Sequence, residues 1–123
     1  MGVQIDRQGQ GLGSGSGGGT SALLFALIDT AASGDNTIVA ADVTRKIKVQ
    51  SYVVVADAAL VVRWKSGAGT SISGAMSLAA NGGVSASAAV GTWLFETAVN
   101  QALVLNLGSA TGARGHVAYF LET

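Results

Sequence analysis

The stretch that decides the fold is residues 45–66, which read RKIKVQSYVVVADAALVVRWKS. Both halves are rich in Val, Ile and aromatic residues, which pack well on a pleated surface. In each half apolar side chains recur at the period of two that a β-strand imposes. Asp57 and Ala58 interrupt the pattern, and Asp favours turns. The stretch therefore predicts two strands, 45–56 and 59–66, joined by a tight hairpin.

Short apolar runs broken by Gly, Ser, Asn and Asp continue through the rest of residues 21–123. They predict further strands near 22–30, 36–41, 70–78, 83–89, 101–108 and 114–122. The chain has no Pro, so Gly and Asn supply the strongest turn signals. These signals lie at residues 81–83 and at 108–115, where the glycines should close the last hairpin. About eight short strands at this spacing predict an all-β fold, an antiparallel β-sandwich or jelly roll.

Residues 1–20 differ in composition from the rest of the chain. From Gln8 to Gly19 they are almost entirely Gly, Ser and Gln, which cannot build a core. We therefore expect an extended N-terminal arm over residues 1–20 and a β-sandwich domain over residues 21–123. Glycine lets one backbone lie close to another, so the arm should contact a neighbouring subunit through Gly11, Leu12 and Gly13.

Charge is scarce along the whole chain. Seven basic and seven acidic residues make up 11% of it and cancel to a net charge of +0, against about 25% charged residues in an ordinary soluble domain. Phosphate binding needs clustered Lys and Arg, so nucleic acid is not an expected partner. No apolar run approaches the roughly 18 residues of a membrane helix, so a membrane is not expected either. So little charge predicts that other protein subunits cover part of the surface.

Apolar residues fall on both faces of several predicted strands. In strand 45–56, strict alternation places Ile47 and Val49 on the core face, together with Ser51, Val53 and Val55. A solvated outer face should be polar, yet several outer positions are apolar. We therefore predict a subunit contact formed by Tyr52, Val54, Val104, Ala118 and Phe120.

Residue patterns for catalysis and cofactor binding are weak. The chain has one His, His116, and no Cys, and it lacks a G-x-S-x-G nucleophile elbow. Its acidic residues fall mostly at predicted turns or chain ends, and no dense set of metal ligands appears. Residues 13–18 contain a literal G-x-G-x-x-G, but a strand rather than a helix is predicted after it. We predict no enzyme, no catalytic residue, no metal and no cofactor; a small hydrolase built on His116 is the remaining alternative.

Trp93 and Phe95 lie in a loop-like stretch, residues 91–97. Large aromatic residues there either cap the end of the sandwich or form a platform on which a sugar stacks. Exposure of Trp93 in an open groove would favour glycan binding, whereas burial would favour a structural role.

Several short segments resemble, in their order and spacing, small virion structural proteins of tailed bacteriophages, of the capsid-decoration or head-fibre type. The segments are IVAA (38–41), RKIKV (45–49), LVVRWKSG (60–67), ISGAMSLAANGGV (72–84), FETA (95–98), ALVLNL (102–107) and GHVAY (115–119). The resemblance covers about residues 36–122 and does not include the N-terminal arm. It implies a β-sandwich module, often trimeric, without catalytic residues.

From this resemblance we expect a capsid decoration or cement protein that stabilises the phage head through many identical subunit contacts. Its partners would be further copies of itself, with a trimer favoured, and the major capsid protein or another virion protein. It would be assembled in the bacterial host cytoplasm and located in the virion. The alternative is a tail or head fibre module that recognises host surface glycans.

Overall fold

A computed structural model describes residues 22–123, so the predicted arm and its Gly11, Leu12 and Gly13 contacts lie outside the described residues. The described residues form ten β-strands and no helix, and accordingly contain no helix that could span a membrane. The strands are β1 (Leu24–Thr30), β2 (Gly34–Val39), β3 (Lys46–Ala56), β4 (Leu60–Ser66), β5 (Thr70–Ser71), β6 (Met76–Leu78), β7 (Gly83–Ser87), β8 (Phe95–Glu96), β9 (Leu103–Leu107) and β10 (Ala113–Glu122). The predicted strand 70–78 is two short strands, and β8 is a strand that the sequence pattern did not predict.

The strands form two antiparallel sheets, which confirms the predicted β-sandwich. One sheet has the order β1-β10-β3-β7, with β8 also paired to β3; the other has the order β2-β9-β4-β5, with β6 also paired to β4. Asp57 and Ala58 connect strands of different sheets, so the predicted hairpin there is wrong. The predicted hairpin at residues 108–115 is wrong for the same reason, because β9 and β10 belong to different sheets. Turn residues show where the chain reverses, whereas the choice of pairing partner depends on the whole fold.

The core lies between the two sheets. Its largest fully buried apolar side chains are Trp64, Ile28, Ile47, Leu103, Leu105, Leu107, Val49, Val54, Val62 and Val117. An aromatic cluster adds to it: the Trp64 ring lies 5.4 Å from that of Tyr52 in an edge-on arrangement and 6.3 Å from that of Phe95. Aromatic pairs at these separations stabilise a core beyond the area that they bury.

A β-bulge in β3 reverses the side-chain alternation that the sequence predicts. Ala118 pairs with Ser51 and Tyr119 with Val49, which leaves Gln50 as one extra residue in β3. An extra residue in one strand turns every later side chain to the opposite face. The buried positions of β3 on the core side are accordingly Ile47, Val49, Tyr52, Val54 and Ala56.

Candidate functional site

Tyr52 and Val54 belong to the core, so the prediction that they form a subunit contact is wrong. Tyr52 is 7% exposed and Val54 is 0% exposed. Both follow the Gln50 bulge, which turns them inward. The Tyr52 hydroxyl donates to Met76 Sδ at 3.3 Å, and burial raises the pKa of Tyr52 above its ordinary value of 10.0.

Val104 is also buried, but for a different reason. It is 4% exposed and lies outside the core cluster, on the outer face of β9. The Lys65 ammonium on β4 binds the Asp35 carboxylate on β2 at 3.1 and 3.2 Å. Because β9 lies between these strands, the lysine stem crosses it beside Val104, with which Lys65 is in register. Val104 is therefore covered within the protomer, and its assignment to a subunit contact is wrong.

Ala118 and Phe120 lie on the outer face of β10, yet they too are covered within the protomer. Their exposed fractions are 3% and 9%. The Trp93 ring packs edge-on against Phe120, with 6.1 Å between the ring centroids. The Lys48 ammonium lies 3.9 Å from the Trp93 ring centroid and 3.0 Å from the Glu122 carboxylate. The assignment of Ala118 and Phe120 to a subunit contact is therefore also wrong, because the side chains around them form a local cover.

Lys48 is the central charge of this cover. It is 8% exposed, and a buried ammonium is costly unless it is paired. The Glu122 carboxylate and the face of the Trp93 ring supply that pairing, the second through a cation–π contact. Lys48 thereby fixes Trp93 over Phe120.

Trp93 and Phe95 do not form one platform. Trp93 is 41% exposed on the outer side of the sheet, whereas Phe95 is half-buried and packs against the core aromatic cluster. The Lys48 ammonium occupies one face of the Trp93 ring. Two surface cavities, of about 270 and 540 Å³, are lined by other residues. The arrangement thus provides one partly exposed aromatic ring, because Phe120, the ring that Trp93 contacts on this side of the sheet, is buried.

The acidic residues within 22–123 serve ion pairs. Each lies within 4.0 Å of a cationic side chain: Asp29 and Asp57 with Arg114, Asp35 with Lys65, Asp42 with Arg45, Glu96 with Lys46, and Glu122 with Lys48. Arg45, Lys46 and Lys48, which lie close together in the sequence, are therefore each paired within the protomer. Hydrogen bonds from Arg45 and from the Thr44 backbone lower the pKa of Asp42 to about 2. Hydrogen bonds from Asn106 and Lys65 also lower the pKa of Asp35.

His116 is exposed on the outer face of β10, in register with Leu27 on one side and Val53 on the other. Its cross-strand neighbours are therefore apolar side chains. Within residues 22–123 no group of three or more His, Cys, Asp or Glu side chains is placed to hold a metal ion. The surroundings of His116 provide no acid or nucleophile in register with it.

The most exposed large apolar side chains of the first sheet lie on β1 and on the residue that precedes it. Leu23, Phe25 and Leu27 are 44%, 70% and 84% exposed, and we refer to these three residues as the β1 face. On the other face of β1, Ile28 is 2% exposed and Ala26 packs against the core, whereas Leu24 at the start of the strand is 37% exposed. Phe25 is in register with Ala118, two residues from Phe120 on β10, so the β1 face adjoins the cover formed by Trp93. This arrangement can bind an apolar protein surface.

The sequence contained a signal for the β1 face that the alternation analysis missed. Residues 22–28 read ALLFALI, an unbroken apolar run. Such a run is typical of a strand whose two faces are both covered. Within residues 22–123 the inner face of β1 is covered at Ala26 and Ile28, so the outer face remains as candidate contact surface.

In comparisons with known proteins, this chain matches no protein-family model, no curated protein and no solved structure.

Proposed function

We propose that this chain is a non-enzymatic structural subunit of a tailed-bacteriophage virion, of the capsid-decoration type, and that its β1 face binds protein in the assembled particle. The observation that carries the proposal is the exposure of Phe25 and Leu27, at 70% and 84%, on a strand whose other side packs on the core. Adjacent exposed apolar side chains of this size are typical of interaction surfaces. Their burial on assembly removes apolar area from water and thereby stabilises the particle.

The charge distribution supports an apolar contact over an electrostatic one. The charged residues are few, and the carboxylates within 22–123 are paired with cations of the same protomer. A contact made by the β1 face should therefore depend little on ionic strength, because salt screens charges and leaves apolar burial intact. Attachment to particles should persist in about 1 M NaCl, where the Debye length is only about 3 Å.

The virion assignment is supported by the resemblance over about residues 36–122 and by an all-β sandwich of the kind that it implies. A small apolar contact is weak by itself. Repeated at many positions of a lattice, it gives high overall avidity. That combination suits a protein that reinforces a shell after the shell has formed.

The test uses the full chain, tagged and expressed in cells that produce its particles, followed by density-gradient fractionation and immunogold electron microscopy. We expect the chain to sediment with the particles and the label to lie on their heads. Phe25→Asp should move the chain to the soluble fractions, because the carboxylate would be buried at the contact. Val90→Asp is the matched control, since Val90 is a 95% exposed residue in the turn that follows β7. Recovery of the wild-type chain only in soluble fractions, beside intact particles, would refute the proposal.

A further inference from the structure

We propose that the partner of the β1 face is a second copy of this chain, whose β1 pairs antiparallel with β1 of the first about a two-fold axis at Ala26. The sheet β1-β10-β3-β7 then continues across the axis into the same sheet of the second copy. This inference rests on the part of the proposed function that makes the β1 face a protein contact. It adds the identity of the partner, the register of pairing and the symmetry.

Among the sheet edges of the described residues, β1 is the one best suited to pair with another strand. It is seven residues long and carries no charge before Asp29. The opposite edge strand of the other sheet, β2, is irregular between Thr37 and Val39 and carries Asp35. The remaining edges are short: β7 has five residues with serines on its outer face, β6 has three, and β5 and β8 have two each. Charges, irregularities and shortness are the features that keep sheet edges from pairing. β1 is regular along its length, and its one charged residue, Asp29, lies next to its end.

The hydrogen bonds of β3 define which of its backbone groups face β10. The Ala56 N–H donates to the Gly82 carbonyl, and the Ala56 carbonyl accepts from the Asn81 N–H, so both groups of Ala56 point toward β7. The next residue, Asp57, donates to the Gly112 carbonyl on the β10 side. Backbone groups alternate in direction along a strand, so Val55 also points toward β10, where it pairs with Arg114.

The same alternation then defines the free groups of β1. Because Arg114 points toward β3, its neighbour Gly115 points toward β1, where it pairs with Ile28. The groups of Ile28 and Ala26 are therefore bound to β10, and those of Phe25 and Leu27 point to the open edge. The residues that carry the exposed apolar side chains are thus also the ones whose N–H and C=O groups face a partner strand.

With a two-fold axis at Ala26, the free N–H and C=O groups of Phe25 and Leu27 in each copy form hydrogen bonds with the other copy. Phe25 of each copy pairs with Leu27 of the other, and the exposed side chains of both copies merge into one apolar cluster on the outer face. The exposed parts of the β1 face amount to on the order of 400 Å² per copy, since a Phe or Leu side chain offers about 150–200 Å². The total of roughly 800 Å² is below the standard interface of about 1,600 Å², which predicts a weak dimer with a Kd in the micromolar range.

The first test is sedimentation velocity of the full chain over a concentration series from about 1 to 200 μM, a range chosen to bracket a micromolar Kd. We expect a reversible monomer–dimer equilibrium. Leu27→Asp should raise the dimer Kd by at least about 100-fold, because two-fold symmetry places the substitution twice in the contact. Val90→Asp should leave the Kd unchanged. Circular dichroism checks that each variant keeps the β-sandwich, which is expected because Leu27 and Val90 are 84% and 95% exposed.

The second test examines the register. The chain has no Cys, so Ala26→Cys introduces a single thiol on the proposed axis. Directly opposed residues of a non-hydrogen-bonded antiparallel pair have Cα atoms about 4.5 Å apart, within the range of a disulfide. We expect a disulfide-linked dimer under mild oxidation, and none for Ser85→Cys, an exposed position on β7.

Three outcomes would overturn the inference: a wild-type monomer at all concentrations, a dimer that tolerates Leu27→Asp, or a trimer as the smallest assembly. A monomer that still binds particles through Phe25 would refute self-pairing and leave the proposed function intact. A dimer that never sediments with particles would refute the proposed function and leave self-pairing intact.

Discussion

Phe120→Ala and Phe25→Ala make the same chemical change on neighbouring strands, at positions where we expect opposite consequences. Both side chains lie on the outer face of the first sheet, but Phe120 is 9% exposed and Phe25 is 70% exposed. Trp93 and the Lys48 stem cover Phe120, whereas most of the Phe25 side chain remains exposed within residues 22–123. Phe120 should therefore stabilise the protomer, and Phe25 should stabilise the assembly.

The magnitudes follow from burial. Phe→Ala at a buried site destabilises a protein by about 3–5 kcal/mol, and Phe120 lies near the surface, so we expect about 3 kcal/mol. This includes the edge-on contact with Trp93, which contributes about 0.5–1.5 kcal/mol. Phe25 removes less than a third of its area from water on folding, so Phe25→Ala should reduce the protomer's free energy of unfolding by less than about 1 kcal/mol.

Urea denaturation followed by Trp fluorescence measures both free energies, at about 1 μM protein so that dimerisation adds little to the apparent stability. Sedimentation velocity at high concentration then measures association. Phe120→Ala should lower the urea midpoint strongly, while any folded fraction still associates. Phe25→Ala should change the urea midpoint little and should weaken association. Equal stability of Phe120→Ala and the wild type would refute the conclusion that Trp93 and Lys48 seal Phe120 within the protomer.

Two further predictions concern the backbone and the pH dependence of stability. Gly115 has φ 153, and a Cβ there would lie 1.9 Å from the Val53 carbonyl oxygen, so Gly115→Ala should destabilise the protomer by more than about 3 kcal/mol in urea denaturation. Gly74→Ala is its control, because a Cβ at Gly74 meets nothing within 4 Å; similar midpoints for the two variants would contradict the prediction. The pKa of Asp42 is about 2 in the folded protein and 3.8 ordinarily, so its contribution to stability is present above about pH 4 and is lost as the pH falls toward 2. In Asp42→Asn the urea midpoint should vary less with pH between pH 4 and 2 than in the wild type. The same pH dependence in both proteins would show that the Arg45 hydrogen bond does not stabilise the fold.

The strands were largely predictable because their signal is local. Val, Ile and aromatic residues at a period of two, bounded by Gly and Asn, define most strands within a few residues. The pairing of strands was not predictable in this way: the turns at Asp57 and at residues 108–115 read as hairpins, yet each connects the two sheets. A turn constrains only a few backbone angles, and the same turn serves a hairpin or a crossing between sheets.

The proposed contact surface was likewise only partly predictable from the sequence. The sequence indicated that too little charge is present to keep a lone domain apart from others, and it contained the apolar run at residues 22–28. It did not reveal the Gln50 bulge, which turns Tyr52 and Val54 inward, because one extra residue in a strand has no local signature.

Composition, strand content and the all-β class were thus determined by the sequence itself, since each depends on neighbouring residues along the chain. Which apolar side chains meet water was decided only by tertiary structure. Lys65 reaches across β9 to Asp35, and Lys48 holds Trp93 over Phe120; each contact joins residues at least 27 positions apart. Exposure depends on such distant neighbours, so the proposed contact surface is Leu23, Phe25 and Leu27 and not the five sandwich residues that the sequence predicted.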